Sequence, residues 1–376
     1  MEYKKIEELT TVVTGGTPST GKKEYWENGD IPWLQSGCCQ NCDVDSTEKY
    51  ITQEGYDNSS ARIMPPNTVM IALTGATAGK VGYLNFEACG NQSITGILPC
   101  DSLNQRYLFY YLLAQRDKIL NDCVGGAQAH ISQGYVKNIK IPVLSLAEQE
   151  HVVQILTKLF DIIIARQKEI CALDDLIKAR FVEMFGDPIA NSKGWDIVEL
   201  GELTYIGSSK RIFEKEYVSE GIPFYRTKEI VELSKGNSVS TELFITEERF
   251  AEIKEKYGAP KAGDLLISAV GTIGVIWIVD GKNDFYFKDG NLIRVDGSEK
   301  FNSVYMKNLL EYLIDRYKKQ MSTGTAYAAL TISGLTKMKV YDIPMELQNK
   351  FADFVHQVDK SKFEELKVFN LKQKIR

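Results

Sequence analysis

A chain of 376 residues with 44% hydrophobic and 25% charged side chains has the make-up of a globular protein of two or three domains. Its formal net charge of −5 excludes a uniformly basic nucleic-acid coat but leaves room for a local basic stripe. No run approaches the ~18 apolar residues of a membrane span, and Met1 to Glu8 is charged, so the sequence predicts a cytoplasmic chain without a secretory segment.

The most informative property is internal repetition. Ile6-Glu7-Glu8-Leu9-Thr10 recurs as Leu200-Gly201-Glu202-Leu203-Thr204, and Ile31-Pro32-Trp33 as Ile222-Pro223-Phe224. Thr77-Ala78-Gly79 matches Thr272-Ile273-Gly274, and Gly90-Asn91 matches Gly290-Asn291. Later pairs are Ile131-Ser132 with Ile332-Ser333, Ile141-Pro142 with Ile343-Pro344, and Glu148-Gln149 with Leu347-Gln348. Each pair is weak alone, but seven in one order describe a duplicated module.

Within the first copy Thr68 to Leu73 reads as a strand, and its counterpart is Asp264 to Ser268. Tyr107 to Leu120 and Tyr305 to Gln320 carry apolar residues at helical spacing, each followed by a glycine loop near Gly125-Gly126 or Gly324. Strands and helices mix without strict alternation, which predicts an α+β fold. From Ala147 the pattern changes. Val152, Leu156, Leu159, Ile163, Arg166, Ile170, Leu173, Ile177, Phe181 and Met184 step by fours and threes with one slip near Arg180, and Asp187-Pro188 ends the run. A second seam runs through Leu347, Phe351, Phe354 and Val358, weakens at Ser361-Lys362 and resumes at Leu366 and Phe369. Two such stripes need a partner, and each can supply the other's as an antiparallel pair; the alternative is that each helix packs on its own domain. The segments are then residues 1–142, the helix 143–186, residues 187–344 and the helix 345–376.

Candidate chemistry is sparse. Gly75-Ala76-Thr77-Ala78-Gly79-Lys80-Val81 has one residue too few between its glycines for a phosphate loop and no Ser or Thr after the lysine. Cys39-Gln40-Asn41-Cys42, beside Cys38, has the spacing of half a zinc site, without a second pair. All seven cysteines lie in the first half and read as reduced thiols. No catalytic signature stands out, so a duplicated module reads as a binder, with no metal or cofactor of its own.

A DNA reader places amides and cations at base edges and hydroxyls at phosphates. The first copy offers Lys22, Lys23, Trp33, Gln35, Ser36, Thr74, Thr77, Lys80, Asn91, Gln92, Gln128 and His130. The second offers Lys210, Arg211, Tyr225, Arg226, Lys228, Ser268, Thr272, Lys288 and Tyr327. Gln35 and Arg226 stand out because each follows the repeated Ile-Pro-aromatic unit closely.

Taken together, Gly15-Gly16-Thr17-Pro18, Ile31-Pro32-Trp33-Leu34, Thr77-Ala78-Gly79, Asn91-Gln92, Ile141-Pro142 with Glu148-Gln149, and Phe185-Gly186-Asp187-Pro188 with Gly194-Trp195 make the whole chain resemble the specificity subunit of a type I restriction–modification system. The second copy has Gly207-Ser208-Ser209-Lys210 in place of the first turn. The resemblance implies two tandem target recognition domains separated by two long helices that form an antiparallel coiled coil. It implies double-stranded DNA with a split site as ligand. Two DNA adenine methyltransferase subunits and a restriction/translocase subunit would be partners, carrying S-adenosylmethionine, ATP and Mg2+. The chain itself would catalyse nothing. The alternatives are a protein–protein scaffold, or an enzyme with an unrecognised nucleotide or S-adenosylmethionine site.

Overall fold

A computed structural model describes residues 2–122, 130–321 and 330–373. Gln128, Tyr327, both glycine loops and Cys123 lie outside the described residues, as do the side chains of Leu366 and Phe369. The chain divides into a unit of residues 1–164 and a unit of residues 165–376, each α+β.

In the first unit the opening strand Tyr3–Lys5 pairs antiparallel with Lys140–Pro142, closing the domain on itself just before the central helix. The next four residues, Ile6–Leu9, form one helical turn in which Glu8 accepts the Lys5 N–H. The larger sheet runs Val12–Thr14, Ile94–Ile97, Val69–Ala72, Val81–Leu84, Cys42–Val44, with the last pair parallel. Both faces of its middle strands are covered: all four residues of Val69–Ala72 are buried, which explains why that strand reads as an unbroken apolar run. A smaller sheet runs Tyr50–Ile51, Ile31–Leu34, Ala88–Gly90, Ile63–Met64, and its central pair is parallel. The helical stretch expected from Tyr107 is two helices, Gln105–Ala114 and Arg116–Asp122. Asn104 caps the first by accepting from Arg106 N and Tyr107 N.

The second unit repeats the plan. Asp196–Glu199 pairs with Lys339–Asp342, and the turn Leu200–Leu203 follows with Glu202 accepting the Glu199 N–H. The larger sheet has four strands, Ile206–Gly207, Leu292–Val295, Leu265–Ser268, Ile276–Ile278. The smaller is Phe244–Ile245, Ile222–Tyr225, Tyr286–Phe287, again with a parallel pair. A single helix, Ser303–Met321, replaces the broken pair of the first unit.

Hydrogen bonding fixes which residues correspond, and it moves three of the seven sequence pairings. The turns at Ile6 and Leu200, the strands at Ile31 and Ile222, and Gly79 with Gly274 hold: Gly79 N donates to Ala72 O and Gly274 N to Ser268 O, both glycines at positive φ. Asn91 N donates to Leu34 O, and the equivalent donor to Tyr225 O is Lys288 N, so Lys288 and not Asn291 stands opposite Asn91. The helix cap played by Ser132 is played by Thr331 rather than Ser333. Ile141 corresponds to Val340, since Ile6 N and Leu200 N donate to Ile139 O and Met338 O two residues earlier. In each case a common dipeptide happened to lie near the true partner.

Gln149 and Gln348 are the strongest of the repeated pairs. Each is 2% exposed, accepts the backbone N–H of a helix-capping asparagine (Asn104 or Asn302, both 2.8 Å) and donates to a carbonyl five residues before it. Glu148 acts differently, accepting from the Ser145 amide and hydroxyl at the helix start, and hydrogen bonding to Ser145 lowers its pKa. That is a local cap, so its absence from the second copy alters nothing in the repeated plan.

The central helix runs Leu146–Phe185, about 60 Å at 1.5 Å per residue. Every residue of the predicted seam, Val152 through Met184, is buried or half-buried, while Ile155, Ile162, Ile164, Leu176 and Val182 are exposed. Both packing readings hold, in different halves. Val152, Leu156 and Phe160 pack on the first unit's core, with Tyr110 stacked on Phe160 at 5.1 Å. Farther along, Phe185 and Phe181 meet Phe351, the Arg180 guanidinium lies over Phe354, and Asp174 pairs with Lys362 at 2.6 Å. Partner numbers rise as central-helix numbers fall, so this half is antiparallel to the C-terminal helix Met345–Gln373. Gly186, at φ +81°, stops the central helix; Trp195 Nε1 takes the Phe185 carbonyl and Asp187 accepts from Ile189 and Ala190 N.

Candidate nucleic-acid interface

In each unit three loops meet beside the parallel pair of the smaller sheet. In the first unit these are the turn after Val12–Thr14, the residue after Ile31–Leu34 and the residues after Ala88–Gly90. Gly16 N donates to Gly90 O and Trp33 Nε1 to Gly16 O; a Cβ on Gly15 would lie 2.1 Å from Gly90 O, so the first of these turns demands glycine. The Thr17 hydroxyl donates to Gln92 Oε1. The loops enclose an open cleft of about 580 Å³, lined by Thr17, Gln35, Asn91 and Gln92, the rings of Trp26, Trp33 and Tyr50, and Glu48, Lys49 and Thr20.

Four sequence candidates therefore share one cleft: Trp33, Gln35, Asn91 and Gln92. Trp33 is only 3% exposed, with Trp26 edge-on at 4.9 Å, so it is a wall of the cleft rather than an exposed reader. Asn91 Oδ1 accepts from Ser93 N, and Ser93 Oγ accepts from Thr74. His130 bridges to Thr74 on the same side of the network and is exposed. Lys22 sits on the neighbouring turn, its ammonium 2.8 Å from the Tyr25 hydroxyl, a bond that raises its pKa; Lys23 is exposed and pairs with Glu27. Ser36 is half-buried in the turn after Gln35.

In the glycine turn at Gly75–Gly79 three amides are engaged within the protein: Ala78 N on Gly75 O, Gly79 N on Ala72 O, Lys80 N on Thr77 O. Lys80 Nζ reaches Gln40 Oε1 at 2.7 Å, and Thr77 is half-buried. Cys39 is fully buried, and its hydrogen bond with Cys38, then burial, hold its thiol well above the usual range. Among the described residues no three His, Cys, Asp or Glu side chains are grouped as metal ligands.

The second unit builds the same junction from charged residues. Lys288 N donates to Tyr225 O, one residue before Arg226, and Tyr225 stacks on Phe285 at 4.9 Å. Burial pushes the Tyr225 phenol up. Lys210 N donates to the Tyr286 hydroxyl, and Arg211 Nε binds Asp289 at 2.7 Å, so the turn after Ile206–Gly207 again reaches the residues after the parallel strand. Arg226 caps the helix Thr227–Ser234: its backbone N bonds Glu229 Oε2 at 2.9 Å and its guanidinium Glu229 Oε1 at 3.2 Å, and Glu229 is buried. Lys228 is exposed on that helix. Ser268 is fully buried, its hydroxyl donating to the Thr272 carbonyl and accepting from Val275 N, so it faces no ligand; Thr272 is exposed.

Sequence reasoning missed Thr20, Trp26, Glu48, Lys49 and Tyr50, which complete the first cleft, and Glu229 and Asp289, which hold the cations of the second. The signal for Lys49 and Tyr50 was the short segment pairing across from Ile31–Leu34, where Trp33 N donates to Lys49 O as Phe224 N does to Leu243 O.

The family description "Type I restriction modification DNA specificity domain" fits residues 1–172 and again 192–375. The chain belongs to this family. Its two matches fall on the two halves of the duplication. The type I restriction enzyme MjaIX specificity subunit of Methanocaldococcus jannaschii is 27% identical over 382 residues, covering 94% of this chain and 85% of that protein. The putative S.HindORF215P specificity subunit of Haemophilus influenzae is likewise 27% identical, covering 96% and 88%. The EcoR124I/EcoR124II specificity subunit of Escherichia coli is 33% identical over 163 residues, 42% of this chain and 40% of that one. Among solved structures, the S subunit from M. genitalium superposes with a TM-score of 0.53 at 18% identity, covering 100% of this chain and 93% of that one. A chain from work on complex assembly and conformational transition of the type I R-M system gives 0.57 at 15% identity, covering 100% and 95%. These two likenesses establish the fold. No helix among the described residues is long and apolar enough to cross a membrane.

Proposed function

We propose that this specificity-family chain reads a bipartite duplex site, one half through each unit, and contributes no chemical step of its own. The observation that carries the reading is that the same three loops meet in both units and present amides in one and cations in the other, the groups that read base edges. Residues 1–142 and 187–344 are the two recognition domains, and the helices 143–186 and 345–376 set the spacing between half-sites. Successive major-groove faces lie about 34 Å apart, within the span of a helix the length of Leu146–Phe185. The partners are two DNA adenine methyltransferase subunits and a restriction/translocase subunit in the cytoplasm, and S-adenosylmethionine, ATP and Mg2+ act on those partners. The methylated adenine must leave the stack, which costs a few kcal/mol, in a pocket that the methyltransferase supplies.

The test is co-expression with a methyltransferase subunit in a methylation-free host, with modified adenines mapped genome-wide. A split motif with a fixed spacer, one half of which is lost when residues 187–344 are replaced, is the expected result. An assembled complex with an intact methyltransferase subunit that adds no methylation would overturn the reading in favour of a scaffold.

A further inference from the structure

Strand register makes Gln35 and Arg226 the same position of the duplicated module. Trp33 N and Phe224 N take equivalent carbonyls, Asn91 N and Lys288 N cap Leu34 O and Tyr225 O, and the next residue is Gln35 in one unit and Arg226 in the other. We infer that this position makes the two half-sites chemically different, Gln35 selecting adenine in one and Arg226 guanine in the other. The inference rests on the DNA-reading function proposed above and adds the base each unit prefers.

The argument is one of donors and acceptors. Gln35 is exposed, and among the described residues its side-chain amide has no hydrogen-bond partner. It offers one acceptor beside one donor. In the major groove adenine presents N7, an acceptor, beside the N6 amino donor, and an amide satisfies both; guanine presents two acceptors there, N7 and O6, and leaves the amide oxygen facing O6. The neighbouring Asn91 already accepts from Ser93 N, while its NH2 group has no hydrogen-bond partner among the described residues and adds a donor. Glu48 and Lys49, of opposite charge, leave the cleft without a net cation among its lining residues.

Arg226 offers donors alone. Glu229, buried beneath it, binds both its backbone N–H and its guanidinium, which anchors the side chain at the start of the helix Thr227–Ser234 without using all of its donors. The Lys228 and Lys288 ammonium groups make no hydrogen bond among the described residues, although Lys228 lies near enough to Glu232 to interact with it electrostatically, and Lys288 N caps the same strand end. A set of donors is matched by guanine N7 and O6 and opposed by the adenine N6 amino group. The anchoring carboxylate also distinguishes Arg226 from an ordinary solvated arginine, because it fixes where the fork points.

The experiment uses the full-length chain with its methyltransferase partner in a methylation-free host, comparing the wild type with Gln35→Arg and Arg226→Gln. The expected result is a split motif in which Gln35→Arg changes or erases one adenine letter of one half while the other half stands. Arg226→Gln should do the same to one guanine letter of the opposite half. Binding of the purified complex to wild-type duplex should weaken about 5- to 150-fold for each variant. Gln35→Glu, nearly identical in shape, guards against misfolding: it should melt like the wild type and still lose the adenine letter. If the wild type writes a split motif and the variants write the same motif at the same level, the inference is overturned and the function stands. A wild-type complex that writes no motif overturns both.

Discussion

The two units share their strands up to the Ile-Pro-aromatic segment and then part. After Gln35 the first unit makes a short turn, Ser36–Cys38, and adds Cys42–Val44 as a fifth strand beside Val81–Leu84. After Arg226 the second unit makes a helix, Thr227–Ser234, whose Ile230 packs with Leu266, Trp277 and Val279 over the corresponding edge strand Ile276–Ile278. An exposed sheet edge invites unwanted pairing, and the units protect it differently, one by extending the sheet and the other by covering it. The scaffold is thus held constant while the segment after Gln35 or Arg226 differs. Under the function proposed above, divergence at that point would give one chain two specificities without altering either core.

Divergence in the helix seam gives the largest testable contrast. Phe351 is fully buried among Phe181 and Phe185, whereas its counterpart in the first unit, three residues after the shared glutamine, is the half-buried Val152. Phe351→Ala should destabilise the second unit by about 3–5 kcal/mol, and Val152→Ala the first by about 1 kcal/mol. Hydrogen exchange followed by mass spectrometry reads each unit separately. Equal losses would show that the seam is not the asymmetric element described.

Gln149 and Gln348 should instead behave alike. Replacing either by leucine leaves a part-buried asparagine N–H and a carbonyl without the glutamine partner, at a cost of about 1–3 kcal/mol in the unit concerned. Denaturant melts of the two variants that differ by more than twofold in this cost would break the equivalence.

These residues also show what the sequence can disclose. Gln149 with Gln348 and Gly79 with Gly274 were visible because a fixed geometry tolerates few side chains. The correspondence of Asn91 with Lys288 and of Ser132 with Thr331 was hidden, because a backbone N–H can come from any residue and a threonine caps as a serine does. The central-helix seam was legible in outline, since burial on a helix is a matter of spacing, though the buried Val153 and Phe185 and the core-packed Phe160 lie outside the stepping pattern. The cleft was only half legible: Lys49, Tyr50 and Trp26 join Gln35 through pairings between segments that no local pattern announces.

A smaller difference concerns pH. In the second unit the buried Arg294 lies between Asp264 and Asp296, where the register of the first unit places Gly96, Thr68 and Leu98. Burial pushes the Asp264 carboxyl above its usual value, an effect only partly offset by the Gly297 and Lys261 amides. A carboxyl whose folded pKa exceeds its unfolded one stabilises the fold most when protonated, and that contribution is lost as pH rises through the folded value. Asp264→Asn should therefore remove one component of the second unit's pH dependence, from about pH 4 upward. It should leave the first unit's profile unchanged, as urea melts followed by hydrogen exchange would show. A first unit that shifts equally would contradict the assignment.

The smallest effect belongs to the loop that most resembles a nucleotide site. Lys80 corresponds to Val275, since Ala72 N and Ser268 N donate to their carbonyls, and the second unit folds the same turn with no charge there. Among the described residues its ammonium makes one hydrogen bond, to Gln40. Lys80→Val should change stability by less than about 0.5 kcal/mol, the range of surface substitutions. ATP titrated into the isolated chain should give no saturable heat with either residue. Saturable binding that disappears with Lys80→Val would mean that the turn opens its amides to a phosphate, and the two glycine turns would then differ in function as well as in charge.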